Sequence, residues 1–142
     1  MTPSVFNITQ SYKMIKTTIA HWHNLLENGN AAGLDTLLAD NAVFHSPIVH
    51  TPQYGKALTQ MYLSAAFMVL NNDTFTYVRE VIGERDAVLE FEVEIDGIKV
   101  NGVDMIKCDD EGKIVDFKVM VRPLKAVNLI HQKMMAMLQG MK

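Results

Sequence analysis

The feature that most constrains the fold is an alternating run in the second half of the chain. Four apolar residues alternate there with three glutamates: Leu89, Phe91, Val93 and Ile95. This period of two is typical of a strand with one buried and one solvated face. Asp96 and Gly97 come next, and this pair favours the positive φ angles of a type I′ turn. The chain is therefore predicted to turn back here into an antiparallel partner strand.

Helical spacing dominates the first half of the chain and returns at its end. Apolar residues three and four positions apart predict helices over 9–27 and 55–70, a short helix ending near Asp40, and a last helix opened by Pro123. Period two predicts strands over 42–46, 75–81, 100–106 and 115–121. Helices, then a meander of strands, then a final helix indicate the α+β class. A chain of 142 residues without repeats or linkers fits one domain, residues 1–142.

Charge and composition argue against several classes of function. Thirteen Lys and Arg against sixteen Asp and Glu give a formal net charge of −3, without a basic run. We therefore expect neither nucleic acid nor a membrane as a partner. The N-terminus lacks the basic and apolar regions of a signal peptide, and Cys108 is the only cysteine, which favours a reducing compartment. The expected location is the cytoplasm.

Asp104 is the main candidate for chemistry. It interrupts the apolar strand 100–106 and has no cation beside it in the sequence. A carboxylate is rarely buried without a partner, so Asp104 lies either on a wet surface or in a pocket that uses it. A desolvated carboxyl group can stay protonated and donate a hydrogen bond, or act as a tuned base. The alternative is a structural carboxylate bonded to Trp22 or Tyr62.

The other polar candidates are less specific. Four histidines could supply a base or bind a metal: His21, His23, His45 and His50. Residues two apart on a helix or adjacent on a strand do not share a face, so we expect no metal site and no cofactor. His50, in a loop between two prolines, is the best candidate for a base at a pocket rim; the alternative is a solvent-exposed loop histidine. Ser46 lacks the glycine-flanked elbow of a nucleophile.

The chain resembles the SnoaL-like and ketosteroid-isomerase-like branch of the nuclear-transport-factor-like superfamily. The matching features span nearly the whole chain: Trp22 with Leu25, Leu26 and Gly29, the run 37–44, Gly55 opening a helix, the strand of Asp104, the turn 109–112, and residues 114–120. The resemblance implies a cystatin-like α+β barrel, in which a cone-shaped, curved antiparallel sheet wraps around the N-terminal helices. The superfamily contains isomerases, cyclases, hydratases, dehydratases and binding domains, so the resemblance specifies fold better than function.

The resemblance also implies roles for three positions. Asp104 falls where ketosteroid isomerases keep a protonated aspartic acid that donates to the oxyanion. Trp22 falls at their oxyanion-hole tyrosine, and its indole N–H is also a donor. Ser46 falls at their catalytic aspartate. A serine cannot abstract a carbon-bound proton unaided, so ordinary ketosteroid isomerisation is not expected.

The same alignment sorts the strand residues by face. The concave side should hold Asp104 with Leu89, Phe91, Val93, Phe117, Val119 and Val121. The convex side should hold Glu90, Glu92, Glu94, Lys118 and Arg122. Val103 and Met105 would also be convex, and apolar residues on that face predict a homodimer.

These inferences together predict a pocket for a small apolar or aromatic carbonyl ligand. Beside Asp104, the expected pocket residues are Trp22, Ser46, His50, Tyr62, Phe91, Phe117 and Val119. An isomerase, cyclase or dehydratase would stabilise an enolate-like oxyanion through Asp104. The alternative is a non-catalytic ligand-binding or dimerisation domain, which the serine at position 46 favours.

Overall fold

The computed structural model describes the backbone of residues 5–140 and the side chains of residues 10–140. Within this range the elements follow in the order α1 (Val5–Glu27), a 3₁₀ turn (Ala31–Gly33), α2 (Leu34–Leu37), β1 (Leu38–His45), β2 (Gln53–Tyr54), α3 (Lys56–Leu70), β3 (Thr76–Ile82), β4 (Asp86–Ile95), β5 (Ile98–Cys108), β6 (Ile114–Arg122) and α4 (Leu124–Gly140). The predicted helices and strands are present. Several boundaries differ: α1 begins at Val5 rather than at residue 9, and β1 begins at Leu38 rather than at residue 42. Helix α2 therefore ends at Leu37 rather than near Asp40, because Leu38 already has extended backbone angles.

The described strands form one curved sheet in the order β2-β1-β6-β5-β4-β3. Strands β3 to β6 are the predicted antiparallel meander. Strand β1 joins it in parallel through β6, and the short β2 pairs antiparallel with β1. The predicted α+β class with a curved sheet against helices is confirmed. The sheet stays open, with β2 and β3 at its two edges.

The concave face of the sheet carries the hydrophobic core. The predicted concave residues are buried, except that Val121 is half-buried: Leu89, Phe91, Val93, Phe117 and Val119. Helix α1 packs into this face, since the Trp22 ring lies 5.0 Å from the Phe117 ring and 5.2 Å from the Phe67 ring of α3, centroid to centroid. Burial of these large aromatic surfaces is the main force holding helices to the sheet.

The turn between β4 and β5 forms as predicted. Asp96 has φ 51° and Gly97 has φ 77°, the positive angles that a type I′ turn requires. Pairing runs without interruption from Ile95 with Ile98 to Asp86 with Lys107. This uninterrupted register places Asp104 directly between its neighbours on β4 and β6.

Strand β3 departs from simple alternation. Tyr77 pairs with Phe91, but Arg79 pairs with Glu90, so Val78 is an extra residue in the strand. This bulge reverses the faces beyond it. The period-two pattern of residues 75–81 predicts a strand correctly, but those residues do not share one face: Val81 is convex and 59% exposed.

None of the helices in the described range is long and apolar enough to cross a bilayer.

Candidate functional site

Asp104 lies in the middle of β5, on the concave face, where it pairs with Leu89 of β4 and Val119 of β6. Only 6% of its surface is exposed. The hydroxyl group of Tyr77 donates a hydrogen bond of 2.5 Å to Asp104 Oδ2. Among the described residues no lysine, arginine or histidine forms an ion pair with this carboxyl group. The acid is therefore buried against a neutral partner.

Burial decides the protonation state of Asp104. Desolvation raises the pKa of Asp104, and the hydrogen bond from Tyr77 lowers it by a smaller amount. The net result is a rise of the pKa from 3.8 to about 7. Near neutral pH a substantial fraction of the protein therefore carries a protonated Asp104. The same burial, together with the Asp104 charge, raises the pKa of Tyr77 well above 10.0, so this phenol stays protonated.

Trp22 fixes the direction of the hydrogen bonds at this acid. Its indole Nε1 donates to the Tyr77 hydroxyl oxygen at 2.9 Å, and an indole cannot accept a hydrogen bond. The Tyr77 proton must then point to Asp104 Oδ2. When Asp104 is protonated, its own proton is therefore on Oδ1. That oxygen has no partner among the described residues and is free to donate into the cavity.

Tyr77 is the site residue that sequence reasoning missed. The anticipated structural partners of Asp104 were Trp22 and Tyr62, but Trp22 reaches the acid only through Tyr77, and Tyr62 stacks on Phe44 instead. The alternation of Phe75 with Tyr77 was the available signal. It predicts a strand but does not indicate which residue on the neighbouring strands faces the phenol.

Asp104 lines a small inner cavity of about 30 Å³. Its walls are almost wholly apolar and come from α1, α3 and the concave sheet, including Trp22, Leu63, Phe67, Phe91 and Phe117. An outer cavity of about 110 Å³ lies between α3, α4 and the loop that follows β1. Three residues line both cavities: Ala66, Leu70 and Val119. The two cavities are therefore neighbours with a shared wall.

The residues predicted to line the pocket divide between these cavities. Trp22, Phe91 and Phe117 surround the inner cavity, and Val119 borders both. Ser46 and Tyr62 line the outer cavity. His50 is exposed and lines neither one.

Ser46 and two of the histidines are already engaged in local contacts. Ser46 Oγ accepts hydrogen bonds from the backbone N–H groups of Ile48 at 3.0 Å and Val49 at 3.4 Å, so it stabilises its own turn. His45 Nε2 lies 2.8 Å from Asp116 Oδ1, and His23 Nε2 lies 2.5 Å from Glu80 Oε1. The bulge in β3 explains the second pair, because it turns Glu80 to the concave side, opposite Leu89.

His131 is a further residue of the outer cavity that the sequence reasoning passed over. It lies on α4 beside the buried Ile130 and, with Met134 and Met135, lines the cavity opposite the loop of Ser46. The signal was its position in the helical repeat, four residues after Val127 and three before Met134. Within residues 10–140, no three His, Cys, Asp or Glu side chains are grouped so that they could hold a metal ion.

A polar cleft of about 640 Å³ lies on the other side of Tyr77. His23 and Asn72 contribute to its surface, while Leu26, Asn71, Phe75 and Tyr77 line both the cleft and the inner cavity. The rings of Phe75 and Tyr77 meet edge to face with their centroids 5.1 Å apart. The four shared residues separate the cleft from the inner cavity of Asp104.

Comparison with known proteins gives one family and a consistent set of structures. The profile of the SnoaL-like domain matches residues 19–117. A steroid delta-isomerase from Pseudomonas aeruginosa is 36% identical, covers 89% of this chain and 93% of its own, and superposes with a TM-score of 0.85. An uncharacterised, cystatin-like protein from Silicibacter pomeroyi is 28% identical over 84% of this chain and 83% of its own, with a TM-score of 0.77.

The epoxide hydrolase/cyclase-like enzyme SalBIII is similar in fold alone. It is 17% identical, covers 80% of this chain and 94% of its own, and has a TM-score of 0.64. No curated protein matches the chain.

Proposed function

Since the chain belongs to the SnoaL-like family, in the ketosteroid-isomerase-like branch of the nuclear-transport-factor-like superfamily, we propose that it binds a small apolar carbonyl compound and activates the carbonyl group. The activating group is Asp104 in its protonated form. Isomerase, cyclase and dehydratase reactions that pass through an enolate begin with such activation. The cavity residues nearest to Asp104 are apolar or aromatic, which suits a ligand with few polar atoms.

One observation carries this proposal: a protonatable acid, 6% exposed, in a cavity with apolar walls. When a carbonyl compound enolises, negative charge develops on its oxygen. A preorganised donor in a water-poor site then stabilises the transition state more than the ground state. Because Tyr77 already bonds to Oδ2, the donor to the ligand is the O–H group at Oδ1.

The cavity volumes favour a compact ligand. The outer cavity of about 110 Å³ and the adjoining inner cavity of about 30 Å³ together approach the ~150 Å³ cavity that accommodates a benzene molecule. Pockets for drug-sized ligands are typically ~300–1,000 Å³. We therefore propose a ligand of about one ring, which fills the outer cavity and directs its carbonyl oxygen past Ala66 and Val119 towards Asp104.

A second candidate function is ligand binding without chemistry. It is favoured by Ser46, which stands where related isomerases have their catalytic base and whose hydroxyl oxygen accepts from the backbone of its own turn. Steroid isomerisation by the family's usual route should accordingly be absent or very slow, since general-base help is typically worth ~10²–10⁴ in rate. Both candidates require the same pocket and differ in whether a proton is transferred.

Binding of an oxyanion mimic tests the role of Asp104. An electron-poor phenol that is already ionised at about pH 6 should bind the parent protein. Its affinity should fall roughly 10- to 100-fold in Asp104→Ala, the value of a hydrogen bond to a charged group. Asp104→Asn should bind more tightly than Asp104→Ala, because its amide can still donate. Isothermal titration calorimetry measures all three affinities.

The pH dependence and a control variant sharpen this test. Above about pH 7 the parent protein should lose affinity, since Asp104 becomes an anion there, whereas Asp104→Asn should not. Glu92→Ala removes an exposed carboxylate from the convex side of β4 and should leave binding unchanged. Equal affinity for the parent protein and Asp104→Ala would refute the proposed function.

We also propose a homodimer formed through the convex face of the sheet. Two rows of paired residues cross this face: Val81, Val88, Met105 and Lys118, and next to them Arg79, Glu90, Val103 and Met120. The apolar members form one continuous patch, in which Val81 is 59% and Met120 48% exposed. A two-fold partner would cover it by an isologous contact.

The single, buried thiol of Cys108 supports the cytoplasm as the compartment.

A further inference from the structure

We propose that His23 and Glu80 form a charge-tuning pair behind the acid and set the pH at which Asp104 stops acting as a donor. This inference rests on the proposed role of Asp104 as the hydrogen-bond donor to the ligand oxygen, and it concerns the regulation of that site. Neither member of the pair lines the inner or the outer cavity. Both are therefore positioning residues, which act on the acid through their charge.

The register of the sheet brings Glu80 into line with Asp104. Beyond the bulge at Val78, Glu80 pairs with Leu89 on the concave side, and Leu89 pairs with Asp104. The two acidic residues thus share one row across the sheet, two strand spacings or about 10 Å apart at the backbone. Two negative charges at this distance repel each other, and the repulsion disfavours the ionised form of Asp104.

His23 controls how much of that charge remains. Its Nε2 atom lies 2.5 Å from Glu80 Oε1. Histidine is the side chain whose charge changes near neutral pH, so His23 determines whether the pair carries a net charge. The two side chains are 30% and 35% exposed, which lets the pair exchange protons with solvent, whereas Asp104 is buried.

Tyr77 connects the pair to the acid. The imidazole ring of His23 meets the Tyr77 ring edge to face with centroids 5.2 Å apart, and the Tyr77 hydroxyl group donates to Asp104. Burial raises the pKa of Tyr77 most, and the charges of Asp104 and Glu80 raise it further. The charge of Glu80 therefore reaches the phenol that is bonded to Asp104.

Few other ionisable groups face these residues within the described range. Tyr77 is the only other titratable side chain of the inner cavity, whose remaining walls on α1, α3, β4 and β6 are not ionisable. Glu27 of α1 and Asp73 of the loop before β3 line the polar cleft together with His23. Of these carboxylates, Glu80 is the one that forms an ion pair with His23.

Two single substitutions should move the titration of Asp104 in opposite directions. Glu80→Gln removes a negative charge and should lower the midpoint by about half to one pH unit, the effect of a charge ~10 Å away at an effective dielectric constant of about 20 in physiological salt. His23→Gln leaves Glu80 uncompensated and should raise the midpoint by a similar amount. Carbon-13 NMR of the carboxyl group measures these midpoints without a ligand.

Three further variants separate a charge effect from a structural one. The double variant His23→Gln/Glu80→Gln carries neither charge and should return to the parent midpoint. His23→Lys keeps a cation and should titrate like the parent or lower, unlike His23→Gln. His45→Gln is the matched control, because it alters another histidine–carboxylate pair at a position that pairs with Lys118 of the convex face. It should leave the titration of Asp104 unchanged.

Binding of the ionised phenol connects the pair to function. In the parent protein the affinity should fall above about pH 7. The midpoint of this fall should move down in Glu80→Gln and up in His23→Gln. The midpoint is the quantity to compare, because the charge of Glu80 also acts on an anionic ligand at every pH.

The outcomes distinguish this inference from the proposed function. A structural role predicts that both single substitutions weaken the same contact and shift the midpoint in the same direction, without recovery in the double variant. That result, an absent shift, or an equal shift in His45→Gln would overturn the charge-tuning role. If the phenol fails to bind or ignores Asp104→Ala, the proposed function fails, whatever the midpoints show. Opposite shifts that cancel in the double variant support the inference.

Discussion

At the scale of single residues, the proposed function depends on one acid held by two aromatic side chains. Trp22 can only donate, so it orients the Tyr77 hydroxyl group towards Asp104 Oδ2. The carboxyl group keeps its second oxygen free for a ligand. Burial that is unfavourable for the charged acid thus produces a donor near neutral pH.

The raised pKa of Asp104 predicts a stability that falls with pH. The folded state holds the proton up to about pH 7, whereas the reference pKa is 3.8. Between these values the folded protein binds more protons than the unfolded chain, so the free energy of unfolding decreases as pH rises. Relative to the non-titrating Asp104→Asn, the parent protein should lose up to about 4 kcal/mol across this window.

Urea denaturation of both proteins from about pH 4 to pH 8 measures this difference. The difference in free energy of unfolding between the two proteins should change most between the two pKa values and level off above pH 7. A gap that does not vary with pH would show that Asp104 titrates normally, and it would remove the physical basis of the donor role.

At the scale of the elements, two positions in the meander shape the pocket. The bulge at Val78 lets Tyr77 face Asp104 and still brings Glu80 to the concave side, where it pairs with His23. Gly102 is a second position that matters, although its pairing is regular. It lies on β5 opposite Phe91 and Val121, and the ring of Phe91 occupies the space that a side chain would need.

Gly102→Ala should therefore destabilise the protein and impair the pocket. A Cβ atom would clash with the Phe91 ring and lie 2.8 Å from the Met120 carbonyl oxygen, and such overpacking typically costs about 1–3 kcal/mol. Displacement of Phe91 should also weaken phenol binding. Gly83→Ala is the control: its Cβ would meet only Asp86 O, at 3.5 Å, and its effect should stay within about 0.5 kcal/mol. Thermal denaturation and calorimetry report both quantities, and an unaffected Gly102→Ala would contradict the tight packing.

At the scale of the whole molecule, the two faces of the sheet differ in character. The concave face encloses the cavities, and the convex face presents the apolar patch of Val81, Val88, Val103, Met105 and Met120. Arg79 and Glu90 form an ion pair of 3.2 Å within the same face. This mixture of apolar area and paired charge is suited to a self-complementary interface.

The dimer proposal predicts that Met105→Glu separates the protomers. A carboxylate in the centre of a covered apolar patch would lose its hydration without gaining a partner. Light scattering should show a dimer for the parent protein at micromolar concentration and a monomer for the variant, with unchanged circular dichroism. Met68→Glu, at a 60% exposed methionine of α3, should remain dimeric. A parent protein that is monomeric under these conditions would disprove the proposed interface.

The amino-acid sequence by itself determined the local features of this protein. Alternation from Leu89 to Ile95 and the Asp96–Gly97 turn predict the β4–β5 hairpin and the faces of its residues, because strand period and turn chemistry are properties of neighbouring residues. The interruption of an apolar strand identified Asp104 in the same way. The residues that resemble those of the SnoaL-like family then predicted the class of fold.

The tertiary structure alone decided which residues meet. Tyr77 and Glu80 lie on the same face because a bulge at Val78 changes the register of β3, and the alternating pattern contains no sign of that extra residue. His131 joins the outer cavity because α4 packs beside α3 and the loop of Ser46, whereas His50, closer to Ser46 in sequence, remains outside. The separation into an inner and an outer cavity depends on how Ala66, Leu70 and Val119 pack. Contacts between distant segments are set by packing geometry, which short-range sequence patterns do not encode.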